Sequence, residues 1–364
     1  MRRHRGRVVD LGSLDELDAR LAAGTTSLSG WRVRGVDLSE RGEAVLGCRV
    51  AGALFLGCTF APGDAERLGA AGALVLPALA DVPLDVYRAG LYTAADLYDA
   101  ARYADSLDAR AYAWSQQRGG PDDSLAKALH DHAIDEALTA WVAGRRLVGV
   151  MGGHALQRGQ AGYADAARLG RLLGAGGLTV ATGGGPGAME AANLGARLSG
   201  RPEAELDAAL ARLAGVASYR PSVQAWAEAA LEVAAGPDPV ETLGIPTWHY
   251  GHEPPNVLAT AIAKYVRNAT REAVLLEVCD GGIVFLPGAA GTVQEVFQDA
   301  CENYYADESS VAPMVLVGRH HWTEELPAWP LLESLARGRT MPVALVDSVE
   351  EAAAVVLSRP SGRR

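Results

Sequence analysis

Short apolar runs alternate with longer segments that carry apolar residues at helical spacing over residues 145–350. The short runs predict strands and the periodic segments predict helices. The predicted strands are 146–151, 178–181, 243–248, 282–286, 313–317 and 343–347. The predicted helices are 125–142, 163–173, 189–198, two within 200–240, 259–279, 292–304 and 325–336. This alternation predicts an α/β fold with a Rossmann-like doubly wound parallel sheet, helices on both faces and right-handed crossovers.

A polar stretch that carries Gly and Pro, residues 116–123, predicts a linker. The expected domains are therefore a small amino-terminal accessory domain over 1–120 and a Rossmann-like domain over 121–364, with a helical insertion at 200–240. Small residues recur every five positions in the first domain, for example at Gly47, Gly52 and Gly57. This period suggests a short β-solenoid-like element, and chance recurrence in a chain rich in Ala and Gly is the alternative.

Two glycine-rich turns each follow a predicted strand and precede a predicted helix. The first reads Thr182-Gly-Gly-Gly-Pro-Gly-Ala-Met189, and the second reads Pro287-Gly-Ala-Ala-Gly-Thr-Val-Gln-Glu295. Such turns place backbone N–H groups and a helix N-terminus where a phosphate binds. Two of them predict one nucleotide- or phosphate-binding cleft at the carboxyl ends of the strands.

The two turns also have simpler interpretations, as a helix cap and as a dinucleotide site. In the second turn, Thr292 and Glu295 have the spacing of a capping box, with Thr292 as the N-cap. A dinucleotide site is disfavoured, because no strand ends in Asp or Glu about twenty residues after the first turn.

Composition limits the function classes. The chain has 364 residues, 49% of them hydrophobic, and a net charge of −11, so we expect neither nucleic-acid nor membrane-surface binding. Four cysteines lack Cys-x-x-Cys spacing, and we expect no metal and no organic cofactor. No apolar run is long enough to span a membrane and no secretory signal is recognisable, so the cytoplasm is the expected location.

Four motifs follow one another along the chain: the first glycine-rich turn, Glu253-Pro-Pro-Asn256, Arg271-Glu272, and the second glycine-rich turn. Over roughly residues 145–350 the chain thereby resembles the Lonely Guy (LOG) family of phosphoribohydrolases, often misannotated as lysine decarboxylases. The Glu-Pro-Pro-Asn element is similar to that of the bacterial nucleotide 5′-monophosphate nucleosidase branch. The family loop usually reads Pro-Gly-Gly-x-Gly-Thr-x-x-Glu, and this chain departs from it at Ala289.

The resemblance implies an N-glycosidic hydrolase that converts a nucleoside 5′-monophosphate to free base and ribose 5-phosphate. It implies Glu295 and Arg271 as catalytic residues, and Arg267 lies four residues before Arg271, where one helix would present both on one face. Substrate or phosphate binding is expected of Gly183, Gly184, Gly185, Gly187, Met189, Glu190, Asn256, Arg267, Gly288, Gly291 and Thr292. His154 and Arg158, after the first strand, are weaker candidates.

Two other functions, a nucleotide-binding or sensor protein and a decarboxylase, are the alternatives to the hydrolase. A non-catalytic nucleotide-binding or sensor protein on the same fold stays open, because of Ala289. A decarboxylase would need a Schiff-base lysine, whereas Lys127 precedes the first sheet strand and Lys264 lies inside a predicted helix, away from the sheet edges. The predicted helices 259–279 and 292–304 are apolar on more than one face, which predicts a homodimer or a higher homo-oligomer.

Overall fold

The fold is that of a computed structural model, which describes residues 8–117, 119–249, 253–308 and 310–358. Their contacts divide the chain into two units, Met1–Ala89 with Arg118–Ala133, and Gly90–Gln117 with Ile134–Arg364. Among the described residues, no helix is both long and apolar enough to cross a membrane.

The strands and α-helices of the described residues are numbered in chain order. The strands are β1 (Val9–Leu11), β2 (Trp31–Arg34), β3 (Leu54–Leu56), β4 (Leu74–Leu76), β5 (Leu147–Met151), β6 (Thr179–Thr182), β7 (Thr242–Gly244), β8 (Ala261–Ile262), β9 (Ile283–Phe285), β10 (Met314–Val317) and β11 (Val343–Val346). The helices are α1 (Leu14–Ala22), α2 (Gly42–Leu46), α3 (Asp64–Ala70), α4 (Ala94–Leu97), α5 (Leu107–Ser115), α6 (Pro121–Val142), α7 (Ala161–Ala175), α8 (Ala188–Arg197), α9 (Glu203–Ala214), α10 (Val223–Ala234), α11 (Asn268–Glu277), α12 (Ala290–Tyr305), α13 (Trp329–Ala336) and α14 (Val349–Leu357).

The smaller unit contains a parallel sheet, ordered β1-β2-β3-β4 in the described residues. Its register pairs Leu11 with Val33, Val33 with Phe55, and Phe55 with Val75. Each step along the sheet therefore takes a whole strand-and-helix repeat of about 20 residues, as in α/β solenoids. The five-residue period does not set the strand spacing, because α1, α2 and α3 lie between the strands. Buried side chains such as Leu17, at 0% exposure, form the core of this unit.

The larger unit confirms the predicted fold class. In the described residues its parallel sheet has the order β11-β10-β9-β5-β6-β7-β8. From β5 the chain moves outward through β6, β7 and β8, and then returns to the other side of β5 with β9. This reversal is the switch point at which doubly wound sheets bind ligands, outside the carboxyl ends of the strands. Strands β5, β6 and β9 begin and end within two residues of the predicted bounds, and α9 and α10 form the predicted insertion.

Residues 90–117 group with the larger unit, although the sequence had placed them in the amino-terminal domain. Tyr92 makes an antiparallel bridge to Ile262 in the edge strand β8. The carboxylate of Asp108 accepts from the buried Nζ of Lys264 at 2.6 Å and from Nε1 of Trp248 at 2.8 Å. These contacts add residues 90–117 to the edge of the seven-stranded sheet.

The predicted helix 259–279 was wrong in its first half. Residues 261–262 form the edge strand β8, the helix α11 begins at Asn268, and Tyr265 makes a parallel bridge to Thr247. Lys264 thus follows an edge strand rather than lying in a helix, and its amine is buried in the ion pair with Asp108. A strand that is buried on both faces loses its alternation, so its apolar residues mimic a helical pattern.

Candidate active site

One cleft lies at the carboxyl ends of β5, β6, β7 and β9, where the sheet reverses direction. Its volume is about 390 Å³. It is lined by Gly152, Gly153, His154, Gly183, Gly185, Met189, Pro246, Thr247, Glu253, Arg271, Glu272, Ala289, Ala290, Gly291, Thr292, Gln294 and Glu295. Both glycine-rich turns therefore face the same cleft, as ligand binding at a switch point requires.

The first glycine-rich turn, between β6 and α8, leaves no room for a Cβ at several of its glycines, and two of these, Gly183 and Gly187, shape the cleft. A Cβ at Gly183 would lie 2.3 Å from Nη2 of Arg271. Gly187 has a φ of +77°, and a Cβ there would lie 2.4 Å from the Gly153 carbonyl oxygen. Glycine is needed at both positions, since larger residues would displace either Arg271 or the loop after β5.

Asn256 supports this turn from behind and is completely buried. Its Nδ2 donates to the carbonyl of Gly185 at 3.1 Å and to Oδ1 of Asn193 at 3.2 Å, and its backbone N–H donates to Gly184 at 2.8 Å. The structure thus places Asn256 as a brace of the loop, outside the wall of the cleft.

Glu190, expected to bind substrate, lies in an internal ion pair instead. Its carboxylate accepts from Arg158 Nε at 3.0 Å and Nη2 at 2.5 Å, and from the Tyr163 hydroxyl at 2.8 Å. Arg158 also stacks over the Trp226 ring at 4.7 Å. Because both charged groups are buried and their hydrogen bonds are directed at each other, this pair joins α8 to the inserted helices rather than binding a ligand.

The second glycine-rich turn leads directly into α12, whose N-cap is Ala289. Thr292 is the third residue of the helix, so the capping box with Thr292 as N-cap was wrong. The N–H of Val293 donates to the carbonyl of Ala289 at 3.0 Å. The N–H groups of residues 290–292 lie in the first turn of the helix, where the helix itself offers them no acceptor, so a ligand can accept hydrogen bonds from them. The N-terminus of α12 opens into the cleft and suits an anion.

Ala289 adopts an extended backbone conformation, with φ −110° and ψ −151°. Any L-residue takes this conformation, so alanine causes no backbone strain at the position where the family usually has glycine. The departure at Ala289 therefore does not distort this loop.

His321 fixes the same loop from the far side. It begins the π-helical turn His321–Glu325 after β10, and its Nε2 lies 3.1 Å from the carbonyl oxygen of Gly288. Its Nδ1 lies 2.8 Å from Oε2 of Glu325. His321 was not predicted from the sequence; its position just after a strand of the predicted sheet was the available signal.

Arg271 is held at the floor of the cleft by four neighbours. Its Nε donates to the carbonyl of Ile245 at 2.7 Å and its Nη2 to that of Gly183 at 3.2 Å. Its Nη1 lies 2.9 Å from Oε1 of Glu272 and 3.8 Å from Oε1 of Glu295. The guanidinium is thereby fixed beside the Glu295 carboxylate, and Glu272 is a further cleft residue that was not predicted.

Glu295 is titratable near neutrality in this environment. Burial raises the pKa of its carboxyl from the ordinary 4.5 to about 7; the charge of Arg271 lowers this pKa and that of Glu272 raises it. A carboxyl group with such a pKa accepts and releases a proton at physiological pH, as a general base must.

The cleft brings together part of the predicted set. Its wall contains Gly183, Gly185, Met189, Arg271, Gly291, Thr292 and Glu295. Gly184, Gly187, Glu190, Asn256, Arg267 and Gly288 are not in that wall. Arg267 is the exposed N-cap of α11 with an extended backbone, whereas Arg271 is buried, so the two arginines do not share a helix face. In the described part of the chain, no three His, Cys, Asp or Glu side chains group as metal ligands would.

Comparison with known proteins gives a likeness in structure but none in sequence. No protein-family model matches the chain, and no curated protein matches it. The molybdenum cofactor carrier protein MCP from Chlamydomonas reinhardtii is 17% identical, and the match covers 59% of this chain and 99% of that one, with a TM-score of 0.38. The molybdenum cofactor binding protein from Rippkaea orientalis is 18% identical over 59% of this chain and 96% of that one, with a TM-score of 0.36.

A third solved structure, TM1055, is 18% identical, and the match covers 58% of this chain and 98% of that one, with a TM-score of 0.37. At these identities and scores, ligand and activity do not transfer to this chain. Function has to be inferred from the cleft itself.

Proposed function

We propose that this protein hydrolyses the N-glycosidic bond of a nucleoside 5′-monophosphate and releases the free base and ribose 5-phosphate. The observation that carries the proposal is the buried Glu295 carboxyl, 3.8 Å from Nη1 of Arg271, in one cleft with the N-terminus of α12. The motif resemblance supports the same activity and, within the LOG family, the nucleotide 5′-monophosphate nucleosidase branch.

In the proposed reaction, the 5′-phosphate binds at the N-terminus of α12, where backbone N–H groups and the helix dipole favour an anion. This places the ribose near Glu295. The ionised Glu295 accepts a proton from water while the water oxygen bonds to C1′ and the bond from C1′ to the base nitrogen breaks. The transition state resembles a ribosyl cation, which a nearby carboxylate also stabilises electrostatically.

Arg271 keeps the site ready for this step. Its positive charge favours the ionised form of Glu295 against the effect of burial. Its fixed hydrogen bonds to Ile245 and Gly183 join α11 to the first glycine-rich turn. No metal and no organic cofactor has a role in the proposed reaction.

The decisive experiment incubates the purified protein with a panel of nucleoside 5′-monophosphates and measures released base by chromatography. The wild type should release base, and Glu295→Gln and Arg271→Ala should each lower turnover by about a hundredfold or more. Glu302→Gln is the matched control, since Glu302 is exposed on the same helix. If the wild type binds a monophosphate tightly in calorimetry yet releases no base, the protein is a nucleotide-binding or sensor protein instead.

A further inference from the structure

His154 and Glu253 form a second acid–base pair in the wall of the same cleft. His154 follows the loop glycines after β5, and Glu253 lies in the segment between β7 and β8. Nε2 of His154 lies 3.7 Å from Oε1 of Glu253. The two side chains are 54% and 32% exposed, so both are accessible to a ligand in the cleft.

The pair lies beside the first glycine-rich turn, whereas Glu295 lies in α12, just after the second turn. A Cβ at Gly185 would lie 3.7 Å from Oε2 of Glu253, and one at Gly187 would lie 2.9 Å from the His154 carbonyl group. The cleft therefore has an ionisable side chain near each of its two glycine-rich turns.

The proposed hydrolysis needs a second proton transfer. When the bond from C1′ to nitrogen breaks, its electron pair stays on the base, and a purine leaves poorly as an anion unless a general acid protonates it. Arg271 does not serve as this acid, because a guanidinium does not release its protons in proteins. Its donors are also directed at Ile245, Gly183 and Glu272. Histidine is the side chain best suited to give up a proton near neutral pH.

We propose that His154 is the general acid for the leaving base and that Glu253 positions its imidazolium; this inference rests on the proposed function. The proton on the imidazolium moves to a ring nitrogen of the base as that base takes the electron pair of the broken bond. The water oxygen bonds to C1′, and the water proton moves to Glu295. His154 ends neutral and Glu295 ends protonated, and exchange with solvent restores both.

The test compares two leaving groups in the full-length protein. Adenosine 5′-monophosphate needs a proton on its base, whereas nicotinamide mononucleotide releases a base that leaves neutral without one. His154→Gln should lower kcat for the adenine nucleotide by about a hundredfold, the lower range for general acid catalysis, and should change kcat for nicotinamide mononucleotide far less. His132→Gln, an exposed histidine on α6, is the matched control. Glu253→Gln should give a smaller loss with the same dependence on the leaving group.

A second readout is the pH profile of kcat/KM for adenosine 5′-monophosphate, whose alkaline limb should disappear in His154→Gln because that limb reports the acid. Unchanged turnover of the adenine nucleotide, equal losses on both substrates, or a persisting alkaline limb would each overturn the role of His154 and leave the hydrolase intact. If nicotinamide mononucleotide is not cleaved by the wild type, the pH profile decides. Absence of base release from every monophosphate by the wild type would end the hydrolase proposal itself.

Discussion

Nη1 of Arg271 lies 3.8 Å from Oε1 of Glu295. The same nitrogen lies 2.9 Å from Oε1 of Glu272, so one cation stands between two carboxylates. Burial of Glu295 favours its protonated form, the arginine favours its ionised form, and the second carboxylate opposes ionisation. Because burial is the largest of these influences, the pKa of Glu295 lies above its ordinary value, and the two charged neighbours shift it in opposite directions.

The pH profile should therefore respond to Glu272. In the wild type, the acid limb of the kcat/KM profile should be centred near pH 7, because Glu295 must be ionised to accept a proton from water. Glu272→Gln removes a negative charge that raises the pKa of Glu295, so the acid limb should move to lower pH. The profile is measured with a monophosphate substrate between pH 5 and pH 9, with Glu302→Gln as the control.

A limb that stays in place in Glu272→Gln, or that moves to higher pH, would show that Glu295 is not the group that the profile reports. A wild-type profile without an acid limb near neutrality would remove the general-base role of Glu295.

The parts of the fold that the sequence predicted well are those whose signal is local. Strand β5 is a buried apolar run, and the two glycine-rich turns are recognisable because clustered glycines are typical of tight turns. The helix prediction was wrong over residues 259–267. Ile262, Tyr265 and Val266 are buried along an edge strand and its continuation, and their spacing resembles that of a helix.

In the site, too, the features with a local sequence signal were predicted and those formed by distant residues were not. Both turns and the pair of Arg271 and Glu295 could be recognised from motifs that are contiguous in sequence. Glu190 was misplaced because its partner Arg158 lies 32 residues away in sequence, and only the folded chain brings them together. No short motif records such a pairing, and the bond from His321 to Gly288 was missed for the same reason.

The 5′-phosphate should contribute much of the binding energy for the substrate. Charge-assisted hydrogen bonds contribute roughly 1.5 to 3 kcal/mol each, and a phosphate at the N-terminus of α12 would accept several. Adenosine should therefore be a far poorer substrate than its 5′-monophosphate, by at least a hundredfold in kcat/KM. Inorganic phosphate should compete with the monophosphate but not with adenosine analogues that bind elsewhere in the cleft. Equal kcat/KM for adenosine and its monophosphate would refute a phosphate site at α12.

Asp299 should destabilise the folded protein at neutral pH. It lies one helical turn after Glu295, and its Oδ2 is buried without a hydrogen-bond partner. Burial and, to a smaller extent, the charge of Glu302 together raise its pKa from 3.8 to about 8. The unfolded chain releases this proton near pH 4 whereas the folded chain keeps it, so this contribution to stability falls as pH rises from about 4 to about 8. At about 1.4 kcal/mol per pKa unit, the cost at pH 7 is on the order of 4 kcal/mol.

Asp299→Asn removes the ionisable group and retains an oxygen for Asn303, whose Nδ2 lies 3.5 Å from Oδ1. The variant should be more stable than the wild type in urea unfolding, with a larger gain at pH 8 than at pH 5. The exposed Asp307→Asn serves as the control. A gain of the same size at both pH values would show that Asp299 ionises normally in the folded state.

The last prediction is a two-fold homodimer through α11 and α12. Ile262, Tyr265 and Val266 no longer support it, because they are buried at the edge of the sheet rather than on a helix. The remaining support is on α12 itself, where Val293, Phe297 and Tyr304 share one helix face and are each only half-buried. Tyr305 adds an aromatic ring that is 81% exposed. A second copy would cover this face and place both clefts near the interface, since α12 begins at the cleft.

Sedimentation at micromolar concentration should give twice the chain mass of 38.0 kDa. Phe297→Arg places a charge in the predicted contact and should yield the monomer, whereas Leu357→Arg, exposed at the end of α14, should leave the dimer intact. A wild type that sediments as a fully active monomer would show that neither assembly nor catalysis needs a second copy, and the half-buried face of α12 would then be an ordinary surface.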